Sequence, residues 1–301
     1  MTAAAASALL VCLILCAAAI AATWLLSVLT REHSWVDRIW SLLPPVYLWV
    51  FAGAGGLTDP RLVLMAALGT LWGLRLTLNF ARKGGYRPGG EDYRWVALRR
   101  RMGRRRFALF NVAFISGYQN LLLLLITLPA WVALGYRQTP FGVADLVAAA
   151  LFVVFLVGES VADQQQWDFQ RSRVVIRARG GTDPGFLRTG LFGVSRHPNY
   201  FCEIAQWWVM AGFGAIAAGT WLQVGSLGAV LLTLLFAGSI VFTESISVSR
   251  HPGYRAYQRE VSVLVPWPPR RPATGTATGT GGAAGAGGAS AGDDPVRRGG
   301  P

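Results

Sequence analysis

The stretch Gly190-Leu191-Phe192-Gly193-Val194-Ser195-Arg196-His197-Pro198-Asn199-Tyr200-Phe201-Cys202-Glu203 holds the densest set of side chains able to grip a charged ligand. Pro198 suits the first turn of a helix, where its missing N–H costs nothing. The helix it opens carries Asn199 and Glu203 four residues apart on one face, with Tyr200 beside them. Arg196 and His197 sit just before its positive end. Free N–H groups, the helix dipole and a planar guanidinium together make an anion site suited to phosphate. The bland alternative is a capped helix whose basic residues meet lipid head groups. A second copy, Arg250-His251-Pro252-Gly253-Tyr254, is followed by Tyr257. The apolar runs 203–221 and 222–243 between the copies form a hairpin, so both copies are expected at one opening, as a pocket for a phosphorylated ligand.

Those segments must be carried by helices. Continuous apolar windows cover 6–29, 39–57, 61–80, 107–134, 142–162, 203–221 and 222–243. Each approaches the ~20 residues that cross ~30 Å of hydrocarbon. Unbroken apolar runs in lipid call for helices, because a helix satisfies its own backbone. The chain is 53% hydrophobic and 14% charged, against roughly a quarter charged in soluble domains, and its mean hydropathy is +0.40. An all-α, polytopic membrane protein of about seven spanning helices is therefore expected. Residues 1–29 form its first helix, 30–269 a membrane domain, and 270–301 a Gly/Ala-rich tail too poor in apolar residues to build a core.

The net charge of +13 would suggest nucleic acid in a soluble protein. Here the basic residues sort by loop. With the Arg82–Arg106 loop placed inside, 25 Lys and Arg lie on that side and only Arg61 and Arg137 on the other. The positive-inside rule then puts the N-terminus out and the C-terminus in, and nucleic acid is not needed as a partner. Arg75 falls within a window, where a charge normally faces a cavity or a partner, and pairing with an acid such as Asp37 is expected. Cys12, Cys16 and Cys202 have neither disulfide nor zinc spacing, so no metal is expected.

Beyond chemistry and topology, the motifs form a recognisable set. Gly190–Glu203, the run from Glu244 to Tyr254 and Tyr257, and the closing Pro266-Trp267-Pro268 resemble the C-terminal half of the steroid 5-alpha-reductase superfamily. Ser34-Trp35-Val36-Asp37-Arg38-Ile39-Trp40, Leu71-Trp72-Gly73-Leu74-Arg75-Leu76, Glu91-Asp92-Tyr93-Arg94-Trp95, Gln119 and Ala162-Asp163-x-Gln165 are similar to its bacterial branch DUF1295. The resemblance covers about residues 30–269. It implies a reductase of the bacterial plasma membrane in which the C-terminal helices and inner loops wrap NADPH, while the N-terminal helices enclose a lipid-like substrate. By that resemblance Asn199 and Glu203 contact the nicotinamide end and Tyr257 binds the cofactor. Arg171 or Arg173 holds phosphate, Asp163 lies on the adenosine side, and Asp92 and Arg94 close over the cofactor. Arg196, His197, Tyr200 and Tyr254 complete the implied set. The steroid enzymes place a proton-donating tyrosine where this chain has Trp72, whose indole N–H donates but cannot transfer a proton. Tyr47 is the alternative donor, and Asp37 is the acid nearest to the second helix.

Two other classes remain. Isoprenylcysteine and phospholipid methyltransferases have a similar Arg-His-Pro-x-Tyr segment and would bind S-adenosylmethionine in place of NADPH; the Asp37–Trp40 and Glu91–Trp95 motifs favour the reductase branch. A transporter would show two related halves with broken helices, and no such halves are present.

Overall fold

A computed structural model describes residues 2–270, which form one compact unit; the tail expected over 270–301 lies, beyond its first residue, outside the described residues. The described chain is helical throughout, with no strand. Its helices are α1 (Ala3–Thr30), α2 (Trp35–Ile39), α3 (Leu43–Ala54), α4 (Pro60–Arg82), α5 (Tyr93–Met102), α6 (Arg104–Phe110), α7 (Gln119–Leu125), α8 (Leu128–Gly135), α9 (Val143–Ala178), α10 (Pro198–Ala218), α11 (Gly225–Arg250) and α12 (Tyr254–Glu260).

Among the described residues, six stretches are long and apolar enough to cross a membrane: α1, α4, α6 through α8, α9, α10 and α11. The seventh expected span, 39–57, is instead the 12-residue α3 behind the short α2. Pro44 and Pro45 at its start explain the late beginning, since proline is tolerated in a first turn and not further in. The 107–134 window is broken in two ways. Asn111–Tyr118 is a π-helix, and the chain turns at Ile126 and Thr127 before Pro129 opens α8. The Thr127 hydroxyl donates to Leu124 O (2.7 Å), closing that break internally.

Asp59 caps α4 by accepting from Arg61 N (3.0 Å) and Leu62 N (3.2 Å), with Pro60 in the first turn. Helix α9 outruns its window: 36 residues make it about 54 Å long at 1.5 Å per residue. The polar stretch that follows the 142–162 window is therefore helical to Ala178. Helix α10 is the central element, packed against α9, α8, α11 and α4. Gly228 lets α11 lie directly on the α7–α8 break, because a Cβ there would collide with Leu125 O. Close backbone approach through small residues is the usual packing device where lipid supplies no hydrophobic drive.

Ion pairs fasten both ends. At one end Arg61 grips Asp145 through Nε (2.6 Å) and Nη2 (2.9 Å), with both side chains almost fully buried. Arg61 also donates to Thr139 O and Pro140 O, and Asp145 accepts from Gly142 N at the start of α9. The other end carries the arginine-rich loops and the candidate site.

Candidate functional site

Three groups of side chains meet at that end, all connected through α10. The first surrounds Arg75, which projects from α4 toward α9. Its Nη1 donates to Asp163 Oδ2 and its Nη2 to Glu159 Oε1, each at 2.6 Å. Asn79 Nδ2 adds a bond to Asp163 Oδ2 (2.7 Å), and Gln206 of α10 donates to Glu159 Oε2 (2.7 Å). The pairing expected with Asp37 is not found. Asp37 accepts from the Trp95 indole instead (2.9 Å). The reason is position: Glu159 and Asp163 lie one turn apart on α9 and present two carboxylates to one guanidinium. Glu159 was missed in the sequence, although an acid inside an apolar window, one turn before Asp163, is itself a signal of an intramembrane partner.

The second group brings the two Arg-His-Pro-x-Tyr copies together. Arg196 donates from Nε to Glu244 Oε1 (2.6 Å) and from Nη2 to Glu244 Oε2 (3.2 Å), and its Nη1 reaches Gln258 O (3.0 Å) and Val261 O (2.5 Å). The ring of His197 meets Glu244 Oε1 at 3.1 Å, Gln258 donates to Oε2 (2.7 Å), and the Tyr254 hydroxyl approaches Oε1 at 3.4 Å. Tyr257 donates to Phe192 O (2.6 Å), and the Ser195 hydroxyl to Leu264 O (2.7 Å). Burial, the largest influence, raises the Tyr254 and Tyr257 hydroxyls above the ordinary tyrosine range. The expected convergence is present, but Glu244 and main-chain carbonyls occupy the guanidinium that was expected to hold phosphate. Arg173 is engaged likewise, by Asp183 (2.7 and 2.8 Å), which Arg177 also contacts. Side-chain bonds from both arginines hold the Asp183 carboxyl far below the usual range. Arg171 is exposed.

The third group is a cavity of about 610 Å³. Phe110, Phe114 and Tyr118 form one wall as a stacked ladder, with ring centroids 4.8 and 5.3 Å apart. A π-helix turns in about 4.4 residues, so side chains four apart nearly overlie one another, and such segments are frequent at functional sites. Tyr200 and Glu203 of α10 and residues of α11 between Leu234 and Phe242 also line it, and the Tyr118 hydroxyl donates to Leu231 O of α11 (3.2 Å). The roof joins the Ser34–Trp40 and Glu91–Trp95 motifs. Asp92 N donates to Ser34 Oγ (2.8 Å), Trp95 Nε1 to Asp37, and His33 N to Glu91 (2.9 Å). Arg94 holds Asp92 through Nε and Nη2 and reaches across to Ser239 Oγ of α11 (3.0 Å). Asp37, Asp92 and Arg94 all line the cavity. Burial is the largest influence on the Asp37 carboxyl and pushes it above the ordinary range, against the lowering charge of Arg94.

Asp37, Asp92, Arg94, Tyr200 and Glu203 are thus brought together, and Glu203 links the cavity to the Arg75 group, whose charge it feels. Asn199, half-buried on the first turn of α10, makes no side-chain hydrogen bond to the described residues. Trp72 and Tyr47 stand elsewhere. Trp72 is fully buried edge-on against Trp207 (4.9 Å, 82°), and Tyr47 is fully buried in the same core beside Cys16. Neither lines the cavity. Among the described residues no group of His, Cys, Asp and Glu has the arrangement of a metal site.

The fold and this site define a multi-pass helical membrane protein that encloses an aromatic cavity beneath an arginine-bearing roof. The chain belongs to the family described as "Protein of unknown function (DUF1295)", whose model matches residues 23–261, and so to the steroid 5-alpha-reductase-like superfamily. It is 39% identical over 258 residues to "Uncharacterized protein C594.04c" of Schizosaccharomyces pombe, covering 81% of this chain and 75% of the yeast protein. That relative is fungal, so the resemblance does not assign the bacterial plasma membrane. No solved structure matches the chain.

Proposed function

We propose that the chain is a membrane-bound, NADPH-dependent reductase of a C=C bond in a lipid-like substrate such as a steroid, enone or isoprenoid. One observation carries the reading: the first two turns of α10 deliver Tyr200 and Glu203 into a cavity whose remaining lining is mainly aromatic and aliphatic. Glu203 offers the nicotinamide end of the cofactor a carboxyl in the cavity lining, and Asn199, one turn earlier on α10 and outside that lining, offers an amide with open hydrogen-bonding capacity. The residues fit the phosphate end less well, since Arg173 and Arg196 are already engaged. Bound there, NADPH supplies the hydride.

The chain's own contribution is orientation, dryness and a proton. The Phe110–Tyr118 ladder offers a flat apolar wall against which a substrate ring or polyene lies and from which water is excluded. Hydride addition to an enone builds negative charge on the carbonyl oxygen. Asp37, lining the cavity with a carboxyl that burial keeps protonated to higher pH, is the acid placed to answer it. Trp95 donates to its Oδ2 and Ser34 also bonds the carboxyl, so both side chains fix its orientation in the cavity lining. A positioned acid of this kind contributes on the order of 10²–10⁴-fold.

The test is thermal shift of detergent-purified protein with NADPH and, separately, S-adenosylmethionine. A ligand at 100 times its Kd stabilises by about 2.7 kcal/mol. NADPH is expected to raise Tm. Asn199→Ala and Glu203→Ala are expected to reduce that rise while leaving a folded protein without ligand. A rise with S-adenosylmethionine alone would transfer the chain to the methyltransferase class.

A further inference from the structure

Some arginines of this chain meet a carboxylate and others, among them Arg171, Arg179, Arg250, Arg255 and Arg259, are exposed without one among the described residues. Arg38, Arg61, Arg75, Arg94, Arg173 and Arg196 each meet a carboxylate at 2.6–2.7 Å. Arg100, Arg101, Arg104, Arg105 and Arg106 are exposed and make no ion pair or hydrogen bond to the described residues. The sequence explains the difference, because no Asp or Glu occurs between Asp92 and Asp145. On α5 Arg94 meets Asp92 and Arg99 lies 3.6 Å from Glu91, whereas the five that follow meet no carboxylate among the described residues.

Their place in the fold is specific. Arg94, Leu98 and Arg101 follow one another at i, i+4 and i+7 and so share one face of α5. Arg94 and Leu98 line the cavity, and the Arg101 guanidinium sits 5.6 Å from the ring of Phe242, which lines it too. Arg101 thus stands beside the cavity, and Arg100, Arg104 and Arg105 lie within a few residues of it at the end of α5 and the start of α6. Orientation alone asks for basic residues somewhere on this side of the membrane; it does not ask for them beside the cavity. A neutral sterol-like ligand would gain nothing from five unpaired guanidinium groups. A molecule with an apolar tail and a phosphate or carboxylate head would be matched at both ends.

We propose that the cavity takes an anionic amphiphile, its tail beside the Phe110–Tyr118 ladder and its phosphate or carboxylate head held by Arg100, Arg101, Arg104 and Arg105. This names the substrate class of the site described above; it rests on the cavity being the substrate site and not on which cofactor serves it. The probes are 12-bromododecyl phosphate, 12-bromododecanol and inorganic phosphate, titrated into the full chain in phosphatidylcholine nanodiscs without cofactor. Binding is read as bromine quenching of tryptophan fluorescence, since Trp40 and Trp95 line the cavity.

Wild type is expected to bind the phosphate-headed probe about tenfold or more tightly than the alcohol, on the scale of headgroup attraction per basic residue. The variant with Arg100, Arg101, Arg104 and Arg105 all changed to Gln is expected to lose that preference while keeping the alcohol affinity. Ser239→Trp, which fills the chamber and is checked for folding by its Tm, is expected to abolish saturable binding of both. Inorganic phosphate is expected not to displace the amphiphile at millimolar concentration. Equal affinity for the two amphiphiles, or an unchanged preference in the four-arginine variant, overturns the proposal. Persistence of the preference in Ser239→Trp overturns it too, by showing that these arginines hold surrounding lipid, and displacement by inorganic phosphate shows a free-anion site instead. The NADPH-induced thermal shift, measured on the same preparations, reports the cofactor reading separately, so either can fail without the other.

Discussion

Replacing Arg75 with Met tests the electrostatic logic of the site. In wild type one guanidinium holds Glu159 and Asp163, both at 2.6 Å, with side-chain exposures of 13, 3 and 7%. At an effective dielectric constant near 20, unit charges 4 Å apart interact by about 4 kcal/mol. Removing one partner of a buried pair typically costs about 3–5 kcal/mol, because the other is left buried and uncompensated. Two carboxylates lose their partner here, which places the loss toward the upper end. Asn79, Gln206 and the ammonium of Lys83, 3.8 Å from Asp163, offset part of it. At roughly 2–4 °C per kcal/mol for a chain of this size, Tm should fall on the order of 10 °C. The decisive comparison is Arg75→Met combined with Glu159→Gln and Asp163→Asn, assayed by thermal unfolding in the same detergent. The triple variant replaces the three charges that meet here with neutral groups of similar volume, leaving Lys83 and Glu203 as neighbouring charges, so it should recover more than half of the lost stability. If the single variant melts with wild type, or the triple variant melts below the single one, the cluster is not held by charge compensation.

Three further outcomes follow from the same geometry. Arg196→Met should release the segment from Tyr254 to Trp267, read as faster proteolysis after α11, because Glu244, Gln258 O and Val261 O lose their common donor; Lys at 196, unable to make the forked contact, should rescue only partly. Asp183 has a depressed carboxyl, so its contribution to the order of the turn after α9 is present at neutral pH and is lost as pH falls through its lowered pKa; hydrogen exchange in residues 173–186 should accelerate in that acid range, and Asp183→Asn should remove the dependence. In a reductase assay the high-pH limb belongs to Asp37: activity should decline as pH rises through its raised pKa, and Asp37→Asn should lower kcat and abolish that decline, whereas Tyr47→Phe should leave the profile unchanged.

The spans were legible because long apolar runs have few other solutions, and the convergence of the two Arg-His-Pro-x-Tyr copies was legible because an intervening hairpin dictates it. What escaped notice depends on distances between residues far apart in the chain. Arg196 and Glu244 are 48 positions apart, and nothing in the sequence says that a guanidinium suited to phosphate already has a carboxylate. Arg75 was recognised as needing an acid, but Asp37 was chosen for its place at a helix start, while Glu159 lay hidden inside an apolar run. The π-helix at Asn111–Tyr118 was invisible for a different reason. Over eight residues a period near 4.4 cannot be told from 3.6, so nothing set this segment apart within the 107–134 window. Trp72 was named through the resemblance and Tyr47 as an alternative hydroxyl, and neither choice could foresee that both side chains lie buried in the core.

The site is best understood through α10, which serves all three groups at once. Just before its first turn, Ser195, Arg196 and His197 anchor the C-terminal segment. Its next residues, Tyr200 and Glu203, form the cavity wall, and one turn later Gln206 binds Glu159 in the Arg75 cluster. A rigid helix cannot shift one of these sets without displacing the others, and each outer set is secured by buried ion pairs that are costly to break. The two charged clusters therefore fix the cavity wall from both sides before any ligand arrives. The α5 roof has no such clamp: it is tied to α2 by the Trp95–Asp37 bond and to α11 by the Arg94–Ser239 bond and the Arg101–Phe242 contact, with no ion pair to another helix among the described residues. Adjustment to a ligand must then fall on the α5 side, where the uncompensated arginines are, so a head group bound there would draw the roof onto a wall that is already in place.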